Sequence, residues 1–157
     1  MANTYTQIYI HIVFAVQGRQ NLIPRRHMDE LCKYITGIIR NRGQKVIAIN
    51  GEPDHMHVFV GLESTVTLSN LVRDFKAGSS FFINEKQWIR GKFAWQEGFG
   101  AFSHSRSEMN RVVTYVQNQQ EHHHKTTFRE EYLKILNDFS VNYDARYLFT
   151  WIEADAK

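Results

Sequence analysis

The sequence predicts an α+β fold: a ferredoxin-like antiparallel sheet (βαββαβ) with helices on one face and additional C-terminal helices. Three observations carry this. Two stretches alternate apolar and polar residues with period two, each with its apolar residues on even numbers. Between and after them lie segments with helical spacing of Leu, Ile, Val and Phe. The order of elements is strand, helix, strand, strand, helix, strand, then helices, which is the split βαβ arrangement with an antiparallel sheet covered by helices.

The first strand reads from Thr4 to Val16. Ile8, Ile10, Ile12, Phe14 and Val16 form one face, and Tyr5, Gln7, Tyr9 and His11 the other. A helix follows, opened near Pro24, carrying Leu31, Ile35, Ile38 and Ile39, and stopped at Gly43. "QKVIAING" is a short second strand, and the Asn50-Gly51 turn signal leads through "EPD" to a third. That strand has Met56, Val58, Val60 and Leu62 on one face and His55, His57, Phe59 and Gly61 on the other. "TLSNLVRDFKAGSSFFINEK" reads as a helix capped by Thr67 or Ser69. "GKFAWQEGFGAFSHS" reads as an aromatic strand broken by Gly98 and Gly100. "SRSEMNRVVTYVQNQQEHHH" reads as one helix, with Ser105 and Glu108 at capping-box spacing. A last helix spans roughly Phe128 to Phe139.

A chain of 157 residues without a linker or repeat reads as one domain, 1–157. The net charge of +3 is compatible with a nucleic-acid partner without requiring one. Cys32 is the only cysteine, which excludes an internal disulfide and a multi-cysteine zinc site and fits a reducing cytoplasm. The opening stretch alternates rather than forming a signal peptide's apolar run, and no apolar run is long enough to cross a membrane.

In the ferredoxin-like arrangement the first and third strands are central neighbours. Tyr9, His11, His55, His57 and Phe59 then share the face away from the main core. Residues two apart on a strand are ~6.6 Å apart and project alike, so His55 and His57 can converge on one metal ion. Tyr115 and Gln119 differ by only ~40° around their helix. Beside them Val112, Val113 and Val116 make an apolar stripe. Such a helix can offer a phenol and a carboxamide oxygen to the histidine pair, with Gln119 as third ligand. Tyr115 is singled out because the other helical tyrosines, Tyr34 and Tyr132, are followed four residues on by Ile38 and Leu136. His122 to His124 point in different directions on a helix and are not read as a second metal site. His11 and His104 are noted as neighbours of the pair.

His55-Met56-His57 and the tyrosine helix "NRVVTYVQNQQEHH", with "TQIYIHIVFAVQGR", "PDHMHVFVGL", "LVRDFKAGSS" and "FAWQEGFGAFSHS", resemble the single-tyrosine HUH transposases of the insertion-sequence 200/605 type. The resemblance implies metal ligands at His55, His57 and Gln119, a nucleophile at Tyr115, and Mg²⁺ or Mn²⁺ as cofactor. It also implies a 5′-phosphotyrosine intermediate, rejoining without ATP, and single-stranded DNA with hairpin-forming ends as partner. It further implies a homodimer in which one subunit's tyrosine completes the other's histidine site. A bound divalent ion suits this chemistry because it draws charge from a phosphate oxygen and orients the phosphorus. For base stacking or phosphate contact the candidates are Tyr9, His11, Phe59, Arg73, Lys76, Trp95, Phe99 and Arg111. Two alternatives stand beside this reading. One is a replication initiator or relaxase-like nickase, a class that is usually longer and in which many members use a second tyrosine or a third histidine near the pair. The other is a non-catalytic module binding single strands through an aromatic sheet.

Overall fold

Among the described residues, four strands form one antiparallel sheet in the order β2-β3-β1-β4. They are β1 (Tyr9–Ala15), β2 (Lys45–Glu52), β3 (His55–Gly61) and β4 (Gly100–His104). The helices are α1 (Met28–Asn41), α2 (Leu68–Lys86), α3 (Met109–Gln117), the single turn α4 (Gln119–His122) and α5 (Phe128–Asp138). The structure is a computed structural model describing residues 3–152; residues 1–2 and 153–157 of the span read as one domain lie outside it.

The central pair is β1 and β3, as the alternation requires. His11 lies opposite Phe59, Val13 opposite His57, and Ala15 opposite His55. Even-numbered Ile12, Phe14, Met56, Val58 and Val60 pack with Leu31, Ile35 and Ile39 of α1 and Leu71, Val72 and Phe75 of α2. This is the main core. Each covering helix has a physical start and stop. Thr67 Oγ1 accepts the Asn70 N–H at the head of α2. Gly43, at φ +75°, takes the left-handed backbone just past α1.

The second face of the sheet is also covered. Ala48 and Phe59 pack against Val112 and Val116 of α3. Val13, Ala15 and Phe102 pack against Phe128, Tyr132 and Leu136 of α5. The face away from the main core is therefore closed by the C-terminal helices, each of which lays its apolar stripe there. Gly100 lets α5 come close: a Cβ there would sit 2.8 Å from Tyr132 Cε1.

Four boundaries differ from the sequence reading. α1 starts at Met28 after a 3-10 turn over Arg25–His27, so Pro24 precedes the helix by a turn. The tyrosine helix is interrupted at Asn118, which separates α3 from α4. Ser105 makes no capping bond to the backbone, and a 3-10 turn over Arg106–Glu108 precedes α3. Only Gly100–His104 of the aromatic stretch is strand; Trp95 joins through one bridge to Val16.

Candidate active site

The two histidines of β3 are fully buried on the sheet's second face, between α3 and α5. A buried imidazole needs a partner for each polar nitrogen. His55 Nδ1 meets Asp54 Oδ1 at 2.7 Å, and its ring stacks on Phe128 with centroids 4.0 Å apart. That leaves Nε2 turned inward, 3.2 Å from Gln119 Oε1. His57 Nδ1 meets His11 Nε2 at 2.7 Å, which turns its Nε2 the same way. Asp54 and His11 thus orient the pair from behind, a pattern common around metal-ligating histidines.

α3 brings Tyr115 to the pair, its ring centroid 5.7 Å from that of His57. Tyr115 and Gln119 do share a side of the helical stretch despite the break at Asn118. The Gln119 side chain is fully buried, whereas Tyr115 is half-buried and lines a small opening with Asn118, His122 and Lys125. A polar clip holds this helix on its own sheet. Asn50 Nδ2 donates to the Gln117 carbonyl at 3.0 Å, and Gln120 Nε2 donates to the Gly51 carbonyl at 3.0 Å. Tyr115 therefore faces the histidines of its own chain.

Sequence reasoning missed the residue at the centre. Glu131 of α5 is 3% exposed. Its Oε1 lies 3.1 Å from His57 Nε2, 3.3 Å from His55 Nε2 and 3.0 Å from His123 Nε2. Its Oε2 accepts from the Tyr115 hydroxyl, and from Gln119 Nε2 at 3.1 Å. One signal was present: Glu131 falls on the stripe that Phe128, Tyr132 and Leu136 bury, where an acid is out of place without a partner. His123 was also missed. The chain bends between α4 and α5, and that bend turns His122 and His123 of the histidine triplet toward Glu131.

Charge in the site follows from this packing. Burial pulls His55 down, but Asp54 and Glu131 outweigh it and raise its pKa to about 9. Burial lowers His57, and burial with the neighbouring His57 lowers His11 well below the usual imidazole value. Glu131 loses solvation, yet His57, His123 and His55 hold it ionised far below the usual carboxylate range. Burial and the Glu131 charge raise Tyr115, so the resting phenol keeps its proton.

These residues fit a metal ion. One ligand atom from each of His55, His57, His123 and Glu131 lies within 4.8 Å of the others. Nitrogen and oxygen donors around a shared cation at roughly 2.1 Å need that kind of spacing. Gln119 Oε1 adds a further oxygen.

The other sequence candidates divide by surroundings. Phe59 is fully buried under α3, and Trp95 is buried against Phe14 and Phe93 with Nε1 bonded to Ser79 Oγ at 3.0 Å. Neither ring has a face open to a base, because the sheet face and the glycine-broken stretch are both covered. Lys76 Nζ donates to the carbonyls of Gln96 and Gly98 at 2.7 and 2.9 Å, so it fastens a loop. His11 is taken up by His57. Tyr9 and Phe99 are half-buried, and Arg73 and Arg111 are exposed, paired with Asp74 and Glu108.

Over residues 4–119 the chain matches the family described as Transposase IS200 like. It belongs to the IS200-like transposase family. Among solved structures it is similar to a presumptive transposase from Deinococcus radiodurans R1, at 17% identity and TM-score 0.59, over 76% of this chain and 95% of that one. It is also similar to a REP-associated tyrosine transposase bound to a REP hairpin, at 17% identity and TM-score 0.59, over 78% of this chain and 73% of that one. No curated protein sequence matches the chain. The family match ends at Gln119, so Glu131 and His123 lie beyond it. No helix among the described residues is long and apolar enough to cross a membrane.

Proposed function

We propose that this transposase cuts and rejoins single-stranded DNA through Tyr115, with Mg²⁺ or Mn²⁺ held by His55, His57 and Gln119. The observation that carries the proposal is the meeting of the Tyr115 hydroxyl, the two histidines and Gln119 around one buried carboxylate. The Tyr115 oxygen attacks the phosphorus, forming a P–O bond to the phenol. The bond from phosphorus to the 3′ oxygen breaks, giving a 5′-phosphotyrosine and a 3′-hydroxyl. The proton lost by the phenol balances the one gained by the leaving oxygen. The covalent link conserves the phosphodiester energy, so rejoining needs no ATP. The bound cation supplies charge that polarises the phosphate and favours the ionised phenol. Asp54, His11 and Phe128 hold the imidazoles in place, and the α3 stripe on Phe59 holds the tyrosine.

A cleft of about 870 Å³ borders the site at His123. Arg19, Arg25, Lys125 and Arg129 line it, and Trp151 stands at its wall. We assign the incoming strand to this cleft, with phosphates on the cations and a base against Trp151. Tyr9, Phe99, Arg73 and Arg111 remain as outer contacts. We assign to the partner DNA hairpin-forming ends; one similar solved transposase is bound to a REP hairpin. The chain assembles as a homodimer. We place the resting sites within each subunit, because Tyr115 lies beside its own chain's histidines and completion by the other subunit would require α3 to leave Ala48 and Phe59.

The test is incubation with Mn²⁺ and single strands carrying candidate element ends, resolved on a denaturing gel. A protein–DNA adduct is expected, absent with Tyr115→Phe and with His57→Ala. Tight binding of a cognate end without any adduct would instead identify a non-catalytic binding module.

A further inference from the structure

Glu131 stands between two groups of partners. Its Oε1 lies 3.0 to 3.3 Å from the Nε2 atoms of three imidazoles, His55, His57 and His123. Its Oε2 accepts from the Tyr115 hydroxyl and Gln119 Nε2, with His122 Nε2 at 3.3 Å. Phe128, Tyr132 and Leu136, anchored under β1 and β4, fix where this carboxylate can go.

A carboxylate as buried as Glu131 calls for a cation among the imidazoles. His55 already has Asp54 on its other nitrogen. A second carboxylate, buried as Glu131 is, costs solvation unless a cation meets it. A divalent cation at the inner nitrogens would meet the Glu131 carboxylate directly. The donors are then three nitrogens and one carboxylate oxygen, with Gln119 Oε1 beside them. Such a nitrogen-rich set favours Mn²⁺ over Mg²⁺.

We infer that Glu131 ties the cation to the nucleophile: Oε1 joins His55, His57 and His123 as a ligand, while Oε2 positions the Tyr115 hydroxyl. This rests on the tyrosine reaction proposed above. It extends the site onto α5, so the cation is held by the sheet, by the bend after α4 and by the last long helix at once.

Two measurements on the full chain test it without DNA. The first is calorimetric titration of the metal-free protein with Mn²⁺. Glu131→Gln and His123→Ala are each expected to weaken Mn²⁺ binding by about 10- to 100-fold. Glu131→Asp should recover part of the loss, and His124→Ala should change nothing. Wild-type affinity within twofold in Glu131→Gln would overturn the ligand role, as would a wild-type protein that binds no Mn²⁺. If Glu131→Gln does not fold, His123→Ala and Glu131→Asp decide the same point, and wild-type affinity in both overturns it. The second uses protein carrying 3-fluorotyrosine. The fluorine resonance missing from Tyr115→Phe reports on Tyr115, and Glu131→Gln, or Glu131→Asp in its place, is expected to shift it. An unmoved resonance would overturn the positioning role. A wild-type protein that forms no DNA adduct while both measurements come out as expected would sink the proposed reaction, and with it the link to a nucleophile, but not the cation and hydroxyl contacts of Glu131.

Discussion

The two faces of the central strands are equally dry and chemically opposite. Phe14, Met56 and Val58 on one face are fully buried, and so are His55 and His57 on the other. On the even face, burial of apolar area is enough, and any side chain that fills the space will serve. On the odd face each nitrogen must find a partner, so burial there forces a network of Asp54, His11, Gln119 and Glu131. One strand can therefore hold a fold together with one set of side chains and build a reactive site with the next.

Substitutions should separate the two faces. Phe14→Ala removes a ring that packs on Phe75 and Trp95, with an expected loss of about 3–5 kcal/mol. A thermal melt would register this as a fall of roughly 10 °C or more. Adduct formation per folded molecule should stay at the wild-type level below the transition. If it collapses as well, the faces are not independent. His11→Ala is expected to act the other way. It frees His57 to turn, weakening Mn²⁺ about 10- to 100-fold in calorimetry, with a smaller change in melting temperature. The smallest effect belongs to the clip between the sheet and the tyrosine helix. Asn50→Ala removes bonds to the Gln117 carbonyl and to Gln120, for about 1 kcal/mol in denaturant unfolding. Its adduct yield should fall modestly, because α3 keeps its apolar stripe.

Period two made the central strands and the histidine pair legible, because alternation is local and each face must match its cover. Tyr115 and Gln119 were legible for a similar reason, since helical spacing put them on one side before any contact was known. Glu131 was not, because its place at the centre depends on where α5 docks after a bend at His123 to Thr126. Nothing local encodes that path. Phe59 and Trp95 were read as possible base platforms because alternation says which face a ring occupies, not what covers it. The helix start at Met28 and the break at Asn118 escaped for a smaller reason: 3-10 turns and short interruptions leave hydrophobic spacing almost intact.

The central claim is that the reacting oxygen belongs to Tyr115. Mass spectrometry of a proteolysed adduct, formed with Mn²⁺ and a cognate single strand, reads this directly. A nucleotide-bearing peptide that contains Tyr115 is expected, with the phosphate on the phenolic oxygen. Nucleotide on any other residue, or a covalent adduct that persists in Tyr115→Phe, would contradict it.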